Sequence, residues 1–207
     1  MSLRALRCFD PIPKAQAEMT QKPLSNVIGF DDAPFHRDYH GRINVVGAVY
    51  AGVRFDGVLI GEVEKDGADA AVALAALVSR SKFAEHAQLI MLQGITLGGF
   101  NVVDVFHLQE ALSLPVLAVT RKLPDMAAVH QALSRHICDG EAKWAIIEKL
   151  GPMEPAGDVY VQRVGLSLDQ AISVTKRFSL HSRIPEPLRT AHLIAGALAC
   201  GQSRGNP

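Results

Sequence analysis

Residues Gln88 to Asp104, QLIMLQGITLGGFNVVD, constrain the fold more than any other stretch of the chain. Leu89, Ile90, Met91 and Leu92 form a short apolar run, far below the ~20 residues that span a bilayer and typical of a buried central strand. Gln93-Gly94 ends the run, and Gly98-Gly99 lets the backbone turn where a side chain would obstruct it. Asn101 is placed to cap a helix carrying Val102, Val103, Val105, Phe106 and Leu108. Strand, glycine-rich turn and helix in that order put polar groups at the carboxyl end of a central strand, where open α/β sheets bind ligands. A crossover with no chemistry would use the same residues, so the flanking segments have to decide.

Residues 1–23, with Pro11 and Pro13, read as an extended lead-in to a single domain over 24–201, followed by a tail at 202–207. Leu24 to Phe30 reads as a strand running into Asp31-Asp32. Adjacent acids at a strand end are costly unless something positive compensates them. Their side chains point to opposite faces, so at most one of them faces a given site. A solvated Asp-Asp-Ala-Pro turn is the other reading. Asn44 to Gly52 and Val58 to Val63 read as a hairpin turning at Asp56-Gly57, and Ala68 to Val78 as a buried helix. Pro115 to Thr120 is another apolar strand with Arg121-Lys122 at its end, and Pro124-Asp125 opens a helix from Met126 to Ile137. Residues 142–149 fit a helix or a strand equally. Val159 to Val164 reads as a strand, and Leu168 to Phe178 and Pro187 to Cys200 as helices. Neither GxGxxG nor GxxxxGK[ST] is present. The order fits an α/β, ribonuclease-H-like mixed sheet, an antiparallel meander joined to a parallel half and flanked by helices.

With 207 residues, 48% of them hydrophobic, the chain can bury a full core. Lys+Arg and Asp+Glu both number 21, so net charge does not point to nucleic acid. The distribution is uneven. Between positions 176 and 204, Lys176, Arg177, Arg183, Arg189 and Arg204 face Glu186 alone. From Asp56 to Asp69, Asp56, Glu62, Glu64, Asp66 and Asp69 face Lys65. An acidic pocket near a basic surface suits a metal-dependent enzyme acting on phosphates, and two ordinary solvated faces would look the same. Three cysteines without CxxC spacing, and an N-terminus without a hydrophobic core, point to the reducing cytoplasm and away from membranes.

In this topology the ends of the first and fourth strands are neighbours, which brings Asp31 beside Gln93 with the Glu64 to Asp69 turn nearby. Carboxylates gathered there would bind Mg²⁺ or Mn²⁺, which take oxygen ligands. Paired metals can activate water and stabilise the leaving oxygen of a phosphodiester. Lys122, at the next strand end, would balance charge near the phosphate, or else is a plain surface lysine.

The segments IGFDDAPF, VVGAVYAG, DGVLIGEVEKDGADA, IMLQGITLGGFNVVD, LPVLAVTRKLPD and IPEPLRTAHLIA together resemble the domain-of-unknown-function family ninety-nine. That family is similar to endonuclease V and includes archaeal deoxyuridine endonucleases. The resemblance runs from about Ile28 to Gly205 and implies the ribonuclease-H-like fold. It also implies metal-dependent cleavage of DNA, single-stranded or lesion-containing, near an altered base. On this resemblance Asp31 is the main metal ligand and Asp32 the second acid of the pair. Asp66 stands roughly where endonuclease V has its second acid, with Glu64 as the fallback. Lys122 is expected beside the phosphate, and Arg189 with His192 on the last helix facing the site. Asp31, Asp66, Lys122 and His192 are thus the catalytic candidates, Asp31, Asp66 and Gln93 the metal ligands, and Asp32, Gly94, Lys122 and Arg189 the substrate contacts.

One position departs. Where the family pattern has aspartate before Gly-Ile-Thr, this chain has Gln93. A glutamine oxygen can coordinate a metal but supplies no charge and no base. Losing one charge from a partly buried site costs a few kcal/mol, on the order of a hundredfold in metal affinity. Two readings follow: a metal-dependent endonuclease cutting beside a deaminated base, with water as nucleophile, and a catalytically disabled nucleic-acid-binding protein on the same fold. A small-molecule α/β protein is the third, and would bind no DNA.

Overall fold

The computed structural model describes residues 23–204. The expected lead-in, except for Pro23, and the end of the expected tail lie outside the described residues. The chain opens with β1 (Asn26–Asp32), β2 (Arg42–Ala51) and β3 (Arg54–Glu64), then α1 (Ala70–Ser79) and β4 (Leu89–Gln93). A small ribbon, β5 (Thr96–Leu97) and β6 (Asn101–Val102), leads to α2 (Val105–Leu112) and β7 (Val116–Thr120). Then come α3 (Met126–His136), α4 (Gly140–Leu150), β8 (Glu154–Ala156), β9 (Val159–Val164), α5 (Leu168–Phe178) and α6 (Glu186–Cys200).

Seven strands form one sheet in the order β3-β2-β1-β4-β7-β9-β8. β1, β4 and β7 are parallel, and the remaining pairs are antiparallel. This is the meander-plus-parallel-half arrangement expected from the sequence. The parallel strands are apolar throughout because both faces are covered. Ile28, Phe30, Ile90, Leu92, Val116 and Ala118 pack in the layer that contains Leu74 of α1 and Leu108 of α2. Val27, Leu89, Met91, Leu117 and Val119 pack in the layer that contains Phe178 of α5 and Leu188 of α6.

Several elements match their local signals. The Ser167–Gln170 capping box starts α5, and the Asp125 carboxylate accepts from Ala128 N to start α3. Others correct the sequence reading. The hairpin turns at Gly52-Val53, with Gly52 at φ 61°, so Asp56 and Gly57 lie inside β3. A glycine with positive φ at the first turn position suits the twist of a two-residue hairpin, and Asp56 is instead held by Arg54 at 2.6 Å. Asn101 does not cap a helix. It is buried in β6, its amide donating to Glu64 O (2.9 Å) and Asp69 Oδ1 (2.8 Å) while its carbonyl accepts from Ala70 N (3.2 Å). The cap of α2 is Asp104, whose carboxylate accepts from Phe106 N and His107 N. The undecided stretch at 142–149 is helical, inside α4.

α6 crosses β1 at close range. A Cβ built on Gly29 would lie 2.5 Å from the Pro187 carbonyl carbon and 2.8 Å from Leu188 N, both backbone atoms that cannot swing aside. Gly29→Ala is therefore expected to lower stability by about 2–3 kcal/mol through overpacking, read as a reduced urea midpoint. An unchanged midpoint would mean that α6 is not seated on β1 in this way.

Candidate active site at the strand ends

The register Phe30↔Leu92 carries Asp31 and Gln93 to the same level on adjacent parallel strands. Alternation then separates the acid pair. Asp31, 5% exposed, faces the α6 layer, where its Oδ2 lies 2.8 Å from His192 Nδ1 and its Oδ1 accepts from Asp32 N at 3.0 Å. Asp32 faces the other way, its Oδ2 accepting from Gly98 N at 2.9 Å. The structure thus joins Asp31 to His192 and sets the two acids on opposite sides of the sheet.

Asp66 is held on the Asp32 side. It adopts φ 56°, its Oδ1 accepts from Phe100 N at 2.8 Å, and Lys65 Nζ stands 3.5 Å from its other oxygen. Its backbone is tied as well, with N donating to Gly98 O and O accepting from the buried Lys143 ammonium at 2.7 Å. Glu64, the fallback acid, is exposed at the end of β3. Among the described residues no three His, Cys, Asp or Glu side chains are grouped so as to hold a metal ion.

Gln93 ends β4 with its Oε1 buried and without a hydrogen-bond partner. A buried amide oxygen left unbonded costs about 1–3 kcal/mol, which is unusual unless something else is bound there. Gly94 follows at φ 79°, its N–H donating to Val119 O. Lys122 is exposed, and its carbonyl accepts from Thr120 Oγ1 at 3.1 Å. Arg189 is committed to Glu186, donating from Nε (3.0 Å) and Nη2 (2.7 Å) to a carboxylate that is 4% exposed.

The cation at the end of β7 whose charge bears on His192 is Arg121, which sequence reasoning passed over for Lys122. The signal was available in the period of the strand, since Val119 faces the α6 layer and Arg121 is two positions on. The His192 pKa is raised by its hydrogen bond to Asp31, with burial and the Arg121 charge opposing. Asp32 is pushed up to about 6 by burial and by the negative charge of Asp31, against the Gly98 and Asp32 amides that favour its ionised form.

The model of a family described as endonuclease dU matches residues 23–199. A UPF0215 protein of Deinococcus radiodurans is 47% identical over 195 residues, covering 94% of this chain and 97% of its own. The crystal structure of a protein of unknown function from Archaeoglobus fulgidus aligns with a TM-score of 0.78 at 37% identity, covering 84% of this chain and 98% of that one. Endonuclease V of Ciona intestinalis, in complex with a 24mer DNA containing an inosine followed by a ribo-adenosine, aligns with a TM-score of 0.52 at 15% identity. That alignment covers 81% of this chain and 82% of the other. The likeness is one of fold, and the sheet is the ribonuclease-H-like one.

The acid pair makes stability depend on pH with a definite sign. Because the folded chain holds the Asp32 proton more tightly than the unfolded chain, ionising it costs stability. The cost is absent below about pH 4, grows as pH rises from 3.8 towards about 6, and is constant above. His192 acts in the same sense, stabilising fully below 6.5 and losing that contribution as pH rises through its raised value. Asp32→Asn keeps an acceptor for Gly98 N and removes the charge. In metal-free buffer it is expected to gain roughly 2–3 kcal/mol in urea unfolding at pH 8, with the gain vanishing near pH 4. An equal gain at both values would show that Asp32 ionisation is not its source.

Proposed function

This chain belongs to the endonuclease dU family, and from that premise we propose that it is a metal-dependent endonuclease that hydrolyses a DNA phosphodiester beside a deaminated, deoxyuridine-type base. The observation that carries the reading is the polar group at the ends of β1 and β4. A buried carboxylate paired with a histidine stands beside a buried amide oxygen that has no protein partner. The endonuclease V neighbour is a DNA-bound protein on this fold, which supports DNA as the partner. Cys138 and Cys200, exposed free thiols, suit a reducing, cytoplasmic setting.

The donor set fits a divalent ion. A carboxylate and an amide oxygen on one sheet face are hard ligands of the kind Mg²⁺ and Mn²⁺ prefer, and the unbonded Gln93 oxygen is the group such an ion would satisfy. Asp31 and Gln93 would hold it, whereas Asp66 lies on the Asp32 side with its carboxylate on the Phe100 amide. When bound, the ion supplies an activated water and neutralises charge on the leaving oxygen. Asp31 accepts from His192 Nδ1, orienting the ring and favouring its protonated form, in which Nε2 would carry the proton that the leaving oxygen takes up. Arg121, with Lys122 after it, offers positive charge to the phosphate at the end of β7. Gly94 lets the backbone approach the strand without a side chain in the way.

A second reading, binding without turnover, is favoured by the uncharged Gln93 and by the commitment of Asp66 elsewhere. Strand cleavage of deoxyuridine- and deoxyinosine-containing DNA with Mg²⁺ or Mn²⁺ separates the two. Wild type is expected to cut, Asp31→Asn to lose at least about a hundredfold, and Gln93→Asp to need about a hundredfold less metal. Cutting by Gln93→Asp alone would mark the natural chain as a disabled nuclease, in favour of the binding reading. No cutting by any of the three, Gln93→Asp included, would defeat the nuclease reading.

A further inference from the structure

The basic stretch after residue 175 is not uniformly engaged. Arg189 and His181 both meet the buried Glu186 carboxylate. Lys176 and Arg183 are exposed and, among the described residues, have no carboxylate within ion-pair distance. Both line one cleft of about 380 Å³, Lys176 from the last turn of α5 and Arg183 from the α5–α6 linker, with Gly157 and Asp158 of the β8–β9 turn also on its wall. Asp158 pairs with neither cation. The linker is held in place by its own serines. Ser179 Oγ donates to Thr175 O (2.8 Å) and reaches Arg183 O (3.2 Å), while Ser182 Oγ donates to Ile184 O (2.9 Å) and accepts from Ile184 N (3.2 Å). Arg183 therefore projects from an ordered backbone, which lowers the entropy lost when it takes a ligand.

The position of this cleft gives its charge a direction. The antiparallel register Thr120↔Tyr160 puts the β8–β9 turn on the same edge of the sheet as Asp31 and Gln93. Ala156 and Val159 belong to the core layer under α5 and α6, the face on which Asp31 meets His192. Three strand spacings separate β1 from β9, about 14 Å, with Arg121 and Lys122 just past the end of the intervening β7. That span amounts to a few nucleotides of one strand.

We propose that the α5/β8–β9 cleft is a second backbone-phosphate subsite, in which Lys176 and Arg183 hold the nucleic-acid strand a few nucleotides from the phosphate at Asp31. The assignment rests on the nuclease-fold reading above, in either its cutting or its binding form. Contacts of this kind position a strand and carry no base information.

The test is fluorescence anisotropy of a labelled oligonucleotide, single-stranded and duplex, in EDTA across a salt series. It compares wild type, Lys176→Gln, Arg183→Gln, the double variant and Lys82→Gln, an exposed lysine beside Phe83 outside the cleft, as the charge control. Each cleft variant is expected to weaken binding about five- to tenfold at 0.1 M salt and to lower the log–log salt slope by about 1, equally for normal and deaminated DNA. Lys82→Gln should match wild type. A double variant with the Kd and slope of the Lys82→Gln control would overturn the subsite while leaving the wider reading intact. Wild type showing no salt-dependent binding to either oligonucleotide would defeat that reading, and the subsite with it.

Discussion

The seating of α6 on β1 is the contact on which the rest of the molecule depends. Gly29 has no side chain, so the Pro187–Leu188 backbone can lie against the strand. That approach brings His192, one helical turn beyond Leu188, to the Asp31 carboxylate. A carboxylate almost out of solvent would cost several kcal/mol without a partner, and the histidine supplies one. Tyr50 and Thr190 share a hydrogen bond of 2.7 Å, fixing the helix to β2 as well. One close approach thus completes a core layer and also assembles the polar centre at the strand ends.

The two sides of the sheet edge use their polar groups differently. On the Asp32 side they are consumed by scaffolding. Gly98 donates to Asp32 and accepts from Asp66, Asn101 ties Glu64 and Asp69 to the start of α1, and Lys143 ties α4 to the Asp66 turn. Lys143, 2% exposed, is satisfied by the Asp66 carbonyl and the Asp139 carboxylate, as a buried ammonium must be. On the α6 side the Gln93 oxygen is left without a partner. At these strand ends that oxygen is where a ligand gains most, and His192 and Arg121 stand on the same face.

How far the amino-acid order could be read tracks the distance between interacting residues. The capping box at Ser167–Gln170 and the Asp125 cap involve partners three residues apart, and their helices start where expected. Asn101 has the local look of a helix cap, but its partners lie 31 to 37 residues away, and the tertiary bonds prevail over the local signal. At the hairpin, Asp56-Gly57 has turn composition, but the cross-strand register uses Gly52 and leaves Asp56 to Arg54. Arg121 and Lys122 are both cations at a strand end, and only the face of β7 tells which of them is near His192.

By itself, the order of residues determined the sheet, because apolar runs on β1, β4 and β7 can be buried only between two helical layers, and it determined that Asp31 and Asp32 face apart, because strand side chains alternate. Only the tertiary structure decided that Asp31 meets His192, that Asp66 turns to the Phe100 amide and that Gln93 is left unbonded. Those outcomes depend on which pairing of polar groups across a packed interface has the lowest free energy. Strand period and helix propensity carry no information about that competition.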